Sequence, residues 1–128
     1  MTPKFRAWDK KCNEMFKDTF AITESGQVII VEQKSVFDTP EYVFTDDLII
    51  MQSTGLTDKN GKEIFEGDVV RFHTPQLTTI GVVVFVKNEA CFKVRNDFGG
   101  HWVTVFHTRY FEVIGNIYQN PELLEVKE

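Results

Sequence analysis

The segment Met51–Phe72 constrains the fold of this chain more than any other, because two glycine-centred reversals follow each other within it. The first is Asn60-Gly61, which between strand-forming residues is the strongest short-range hairpin signal. It predicts a type I′ turn, in which both central residues have positive φ. The second is Glu66-Gly67-Asp68, and the run between the two, Lys62–Phe65, predicts a strand.

The size and composition of the chain predict one domain made mainly of β-sheet. A chain of 128 residues is long enough to form its own hydrophobic core. Its apolar residues include 12 Phe, 3 Tyr and 2 Trp, which favour pleated sheet over helix.

The second half of the chain alternates between short apolar runs and turn-forming residues. Five such strands, joined by hairpins, fit a small SH3-like or OB-like barrel. Gly81 and Gly115 lie inside strands and mark positions where the barrel bends or bulges. The five predicted strands are Val69–His73, Ile80–Val86, Ala90–Arg95, His101–Phe106 and Phe111–Tyr118.

The first half of the chain predicts a smaller β-element. We expect a strand over Lys4–Asp9, a hairpin of Phe20–Ile22 with Gln27–Glu32, an acidic loop over residues 33–47 and a buried strand over Leu48–Met51. The chain is thus predicted to be a single domain, 1–128, with an N-terminal β-hairpin element in residues 1–47. Residues 48–128 hold the five-stranded barrel and a short C-terminal helix that begins at Asn120-Pro121.

Charge and cysteine content narrow the functional classes. A net charge of −5 argues against a protein that simply coats nucleic acid or an anionic membrane. Cys12 and Cys91 lie far apart without nearby metal-ligand partners, so we expect two reduced thiols and a cytoplasmic protein, with a single disulfide as the alternative. No apolar run approaches the length of a membrane span.

The segment 71–111 is locally basic and contains the candidate binding residues. If Val70 and Phe72 face the core, strand alternation turns Arg71 outward. By the same argument Ala90, Phe92 and Val94 face inward. Lys93 and Arg95 then face outward, and with Arg71 they could share a barrel face with His101 or Trp102. The candidate set Arg71, Lys93, Arg95 and Trp102 could bind single-stranded nucleic acid through cations and an aromatic platform. The alternative, which we favour, is the solvated side of a half-buried sheet.

Other possible sites are less well supported, and we predict no catalytic, cofactor-binding or metal-binding residue. His73, His101 and His107 lack a short-spaced ligand pair. The Asp58–Glu63 segment has its glycine at the wrong position for a calcium loop. Asp68 is expected to accept turn N–H groups, and Cys91 has no oxyanion-forming helix start beside it. The acidic residues Asp38, Glu41, Asp46 and Asp47 are read as a solvated loop, with Mg²⁺ or a basic partner as the alternative.

Three groups of residues resemble the YopX family of phage and prophage proteins. They are Lys4–Lys10, the central motifs between Met51 and Val70, and Glu112–Tyr118 with Asn120–Leu124. The resemblance extends from one end of the chain to the other. It implies a small, soluble, intracellular phage protein, mainly β and oligomeric, and it implies no particular activity.

Our first hypothesis from the sequence is therefore a non-enzymatic phage accessory protein that binds itself as a homo-oligomer and then a host or phage protein. The aromatic residues outnumber those that one small barrel can bury, so we expect some rings to meet a partner. The second hypothesis is a nucleic-acid-binding barrel. An enzyme ranks last, because no titratable groups converge.

Overall fold

The computed structural model describes residues 3–73, 78–96 and 110–124, and the backbone of residues 101–104. This part of the chain is mainly β, as the sequence predicts, with short 3₁₀ turns at Lys87–Glu89 and Pro121–Leu124. Its strands are β1 Phe5–Asp9, β2 Glu14–Met15, β3 Phe20–Ile22, β4 Val28–Glu32, β5 Glu41–Phe44, β6 Leu48–Thr57, β7 Glu63–Phe65, β8 Asp68–His73, β9 Thr78–Val86, β10 Cys91–Asn96, β11 His101–Thr104 and β12 Glu112–Asn116.

The chain divides into two compact units. The small unit is Arg6–Ile50, and the large unit comprises Met1–Phe5 and Met51–Glu128. The change between units falls after Ile50, three residues beyond the predicted end of the N-terminal element at residue 47. Both crossing points lie within strands, one in β1 and one in β6.

The large unit contains an antiparallel five-stranded sheet in the order β11-β10-β9-β8-β12. These are the five strands predicted from the sequence, with ends that differ by a few residues. The sheet is curled. Its two outer strands are β11 and β12, so closure into an SH3-like or OB-like barrel stays a prediction. The inward-facing residues pack in one core, whose buried members are Ile64, Val70, Phe72, Val83, Val94 and Phe111.

The hairpin between β6 and β7 forms as predicted, but its turn is not type I′. The φ angle of Gly61 is +82°, whereas that of Asn60 is not positive. The cause is Asp58, whose Oδ1 accepts the backbone N–H groups of Asn60 and Lys62, both at 2.9 Å. The turn is thus a longer loop in which only the glycine is left-handed, a geometry typical of three-residue hairpins.

The second reversal has the geometry that the sequence indicates. Gly67 has φ +88°, and the buried Asp68 accepts the N–H of Phe65 at 2.8 Å. The prediction that Asp68 serves the turn is confirmed.

The two strand glycines have different roles. The register between β8 and β12 shifts between Val113 and Gly115, so the predicted irregularity is found there. At Gly81 the pairing with β8 is regular, since Gly81 lies opposite Val70. A Cβ at this position would lie 2.5 Å from Val94 Cγ1, so Gly81 is required by close approach and not by a bend.

The small unit holds a three-stranded antiparallel sheet in the order β3-β4-β5, and the pairing of β1 with β2. The predicted hairpin of Phe20–Ile22 is confirmed, since β3 pairs with β4. The prediction of a loop across residues 33–47 is wrong at Glu41–Phe44, because this segment forms β5 and pairs with β4.

The C-terminal segment is shorter than predicted within the described residues. Pro121–Leu124 forms one 3₁₀ turn, and residues 125–128 lie outside the part that the structure describes. Asn116 holds this end of the chain, because its Oδ1 accepts the N–H groups of Tyr118 and Gln119. In the described ranges no helix has the length and hydropathy needed to cross a membrane.

Candidate protein-binding surface and the predicted basic face

The basic residues singled out from the sequence share one face of the five-stranded sheet. Arg95 lies opposite Val82 on one side and opposite Trp102 on the other. Arg71 lies opposite Ile80, two residues from Val82. Residues that oppose each other across a ladder point to the same face. Register therefore places Arg71, Lys93 and Arg95 on one side, which we call the basic face. The side chain of Trp102 lies outside the described residues.

Carboxylates neutralise Arg71 and Lys93 on the basic face. Glu112, directly opposite Arg71 in β12, forms an ion pair with its guanidinium, and its Oε2 lies 3.1 Å from Lys59 Nζ. Hydrogen bonds from Lys59, which has the larger effect, and from Arg71 hold the pKa of Glu112 below its usual value. Lys93 pairs with Glu89, four residues earlier. The face thus offers much less positive charge than the sequence suggests.

The inward set of this region is confirmed except at Ala90. Val94 is buried, and Phe92 packs against the core. Ala90 is exposed and left-handed, with φ 51°, because it ends the 3₁₀ turn Lys87–Glu89 instead of beginning β10.

Of the three histidines, only His73 has a side chain within the described residues. His73 is exposed at the end of β8, where its Nδ1 lies 2.7 Å from Thr78 Oγ1. His107 and the side chain of His101 lie outside the described residues. Across residues 3–73, 78–96 and 110–124, no three Cys, His, Asp or Glu side chains are placed to hold a metal ion.

Both cysteines are free thiols, as predicted. Cys12 is exposed and Cys91 is half-buried. The hydrogen bond and negative charge of Asp9 raise the pKa of Cys12. A raised pKa lowers the thiolate fraction, so Cys12 is a poor nucleophile at neutral pH.

The acidic loop is partly organised by its own hydrogen bonds. Asp38 accepts a bond from the Ser35 hydroxyl, and its carbonyl accepts one from Gln33. Glu41 lies directly opposite Glu32 in the β4–β5 ladder, a like-charge pair that weakens the sheet. These acids and Lys34 line an open hollow of about 350 Å³.

The sequence predicted the β3–β4 hairpin but not β5, which extends it to the three-stranded sheet of the small unit, here called the apolar sheet. It is apolar on both faces, yet none of its residues is buried. Register places Phe20, Ile22, Val28, Ile30 and Val43 on one face and Ala21, Ile29, Val31, Tyr42 and Phe44 on the other. A sheet in a folded protein normally covers at least one face.

Exposure is greatest along β5 and in the turn before it. Tyr42 and Phe44 are 69% and 64% exposed. Phe37 is 95% exposed at the tip of a turn whose N–H groups are bonded to Ser35. Exposed patches of large apolar side chains often mark a surface that binds another molecule.

A family model described as "YopX protein" matches residues 4–125. The chain belongs to the YopX family. A crystal structure of protein EF1440 from Enterococcus faecalis resembles this YopX-family chain with 30% identity and a TM-score of 0.62, over 98% of this chain and 99% of that one.

A crystal structure of protein yopX from Bacillus subtilis is similar in fold, with 23% identity and a TM-score of 0.65. The match covers 94% of this YopX-family chain and 97% of that chain. No curated protein matches the chain. The similarity therefore extends through both units and concerns the fold.

Proposed function

We propose that this YopX-family protein is a non-enzymatic phage or prophage accessory protein of the bacterial cytoplasm that acts by binding proteins. Its first partner is a second copy of itself, and a host or phage protein follows. Family membership supports the phage setting. The observation that carries the binding role is the apolar sheet, which has large side chains on both faces and no buried residue.

The free energy available from covering this sheet is substantial. Burying one exposed Tyr or Phe side chain contributes roughly 2 kcal/mol. In a symmetric dimer each such residue counts twice, because both copies contribute it. Covering Tyr42 and Phe44 of two copies thus supplies roughly 8 kcal/mol of gross stabilisation before the entropic cost of association.

Sedimentation velocity of the purified protein over a micromolar concentration series tests the proposal. We expect a dimer or larger closed assembly whose population rises with concentration. A single species with the mass of one chain across the whole series would overturn self-association as the first step.

Nucleic-acid binding through Arg71, Lys93, Arg95 and Trp102 is the second candidate. The common face of Arg71, Lys93 and Arg95 favours it. The ion pairs with Glu112 and Glu89 oppose it, since each must be broken or neutralised before the cation can contact phosphate. Titration with a single-stranded oligonucleotide at low and high salt tests this function, and binding at low salt that is lost at high salt would support it.

We also propose that the five-stranded sheet closes into a barrel and that the chain ends in a short helix. Closure of the five-stranded sheet into a barrel would protect β11 and β12, which otherwise end the sheet. A short C-terminal helix that begins at Asn120-Pro121 would hold Leu123 and Leu124 against the sheet, and the half-burial of both side chains supports it. Amide hydrogen exchange along β11 and β12 tests closure, because strands paired on both sides exchange slowly.

A further inference from the structure

The outer edge of β5 presents a definite pattern of backbone groups. The N–H of Thr45 donates to the carbonyl of Val28 at 3.0 Å, and Val43 lies opposite Ile30. In an antiparallel ladder, hydrogen-bonded pairs alternate with non-bonded ones. The N–H and C=O of Val43 therefore point to β4, and those of Tyr42 and Phe44 point outward, where β5 ends the sheet.

Sheet edges in folded proteins are usually protected by charge, proline, a bulge or a covering segment. Pro40 and Glu41 protect only the beginning of β5. The three residues that follow, Tyr42–Phe44, are uncharged, regular in register and exposed. An edge of this composition favours pairing with another strand.

We propose that two copies of the protein pair edge to edge through β5, antiparallel, about a twofold axis at Val43. This inference rests on the proposed function and specifies its first partner. Tyr42 then lies opposite the partner's Phe44, and the two exchange both of their N–H···O=C bonds. The twofold axis generates the same two bonds between Phe44 and the partner's Tyr42. Four hydrogen bonds therefore join the two three-stranded sheets into one sheet of six strands.

The sequence selects this register over its neighbour. Centring the axis on Tyr42 would place Phe44 opposite the partner's Pro40, which has no N–H to donate. Centring it on Val43 uses all of the outward groups of β5. It also places Glu41 opposite the partner's Thr45, so no two carboxylates face each other. The Tyr42 and Phe44 rings of the two copies lie side by side on one face, as aromatic cross-strand pairs do.

The opposite edge, β3, is less suited to self-pairing. It has three residues, and the Phe20 ring already packs against Phe16 with ring centroids 6.2 Å apart. Its large apolar residues, Phe20 and Ile22, are less exposed than Tyr42 and Phe44. We therefore assign the self-association to β5.

Cysteine cross-linking tests the register. In a background of Cys12→Ser and Cys91→Ala, Val43→Cys places two thiols at a non-hydrogen-bonded pair, about 4.5 Å apart at Cα. This separation lies within the range of a disulfide. Glu41→Cys is the matched control on the same face, because its counterpart in the partner lies roughly 13 Å away.

On mild oxidation we expect Val43→Cys to become a covalent dimer and Glu41→Cys to stay monomeric on a non-reducing gel. Equal cross-linking of the two variants would overturn the register. If the unmodified protein sediments as a dimer and Val43→Cys does not cross-link, the β5 pairing is wrong and the proposed function stands. A monomeric unmodified protein overturns both.

A second pair of variants tests the hydrogen bonds without cysteine chemistry. Phe44→Pro and Phe44→Ala both remove the ring, but only proline removes the outward N–H, which β4 does not use. Proline is tolerated at such an edge position. Losing one N–H from each copy should raise the dimer Kd of Phe44→Pro at least about tenfold above that of Phe44→Ala. Equal Kd values would contradict edge pairing.

Discussion

The carboxylate of Asp58 accepts the backbone N–H of Val113, 55 residues later, at 2.9 Å. The same carboxylate fixes its own turn through the N–H groups of Asn60 and Lys62. One buried side chain thus joins the β6–β7 hairpin to β12. Lys59 strengthens this connection, because its N–H donates to the carbonyl of Phe111 at 3.0 Å.

Replacing Asp58 with Ala should destabilise the protein severely. Three backbone N–H groups would lose a charged acceptor in a buried site, and we expect a loss of about 3 kcal/mol in the free energy of unfolding. Urea denaturation measures it. Asp46→Ala is the control, since Asp46 is exposed and should change stability by less than about 0.5 kcal/mol. Similar losses for both variants would contradict the role of Asp58.

The stability of the protein should fall in acid because of Asp58. Burial raises the pKa of Asp58, but the N–H groups of Val113, Lys62 and Asn60 outweigh burial and lower it below the ordinary value of 3.8. A carboxyl group with a lowered folded-state pKa stabilises the protein above its unfolded pKa, and that contribution is lost as pH falls through the folded pKa.

The window for this loss is therefore below about pH 4. Glu63 and Glu112 add to it, since hydrogen bonds from Ser53 and from Lys59, respectively, lower their pKa values. Urea midpoints measured from pH 5 to pH 2 should decline more steeply in the wild type than in Asp58→Asn. Parallel declines would show that Asp58 is not responsible.

Gly81→Ala should destabilise the five-stranded sheet although Ala is the better sheet residue. The new methyl group would lie 2.5 Å from Val94 Cγ1 and 2.8 Å from the Arg95 carbonyl oxygen. Such overpacking costs about 1–3 kcal/mol. In a Val94→Ala background one of these clashes disappears, so the same substitution should cost less. An identical cost in both backgrounds, measured by urea denaturation, would exclude the steric explanation.

Association should strengthen as salt concentration rises. The chain carries a net charge of −5, and two copies repel each other at low ionic strength. Apolar contacts and strand pairing have no such dependence. We expect the dimer Kd to fall between about 20 mM and 500 mM NaCl, conditions in which the Debye length shrinks from roughly 20 Å to 4 Å. A Kd that rises with salt would indicate an interface formed by opposite charges.

Alternation of apolar residues made the five-stranded sheet predictable. Val70 and Phe72, or Phe92 and Val94, occur at the spacing that any half-buried strand requires. β5 was missed because Pro40 and the surrounding acids are typical of a loop, and its pairing with β4 is a tertiary contact. The turn type was missed because the side chain of Asp58 competes with the backbone preference of Asn60-Gly61.

The candidate site was predictable in part. Strand alternation was sufficient to place Arg71, Lys93 and Arg95 on one face. The neutralisation of Arg71 depends on the register that brings Glu112 opposite it, which the sequence does not specify locally. The aromatic surplus correctly indicated exposed rings. The sequence could not show that those rings lie on β5, because the exposure of a ring depends on which other elements pack over the sheet.

The molar mass of wild-type protein and of Tyr42→Ser/Phe44→Ser, measured by light scattering at the same micromolar concentration, tests self-association through the apolar sheet most directly. Leu56→Ser is the control, because Leu56 is an exposed apolar residue of the large unit. The account predicts at least twice the mass of one chain for wild type and Leu56→Ser, and the mass of one chain for the double variant. An unchanged mass in the double variant, or a monomeric wild type, would contradict it.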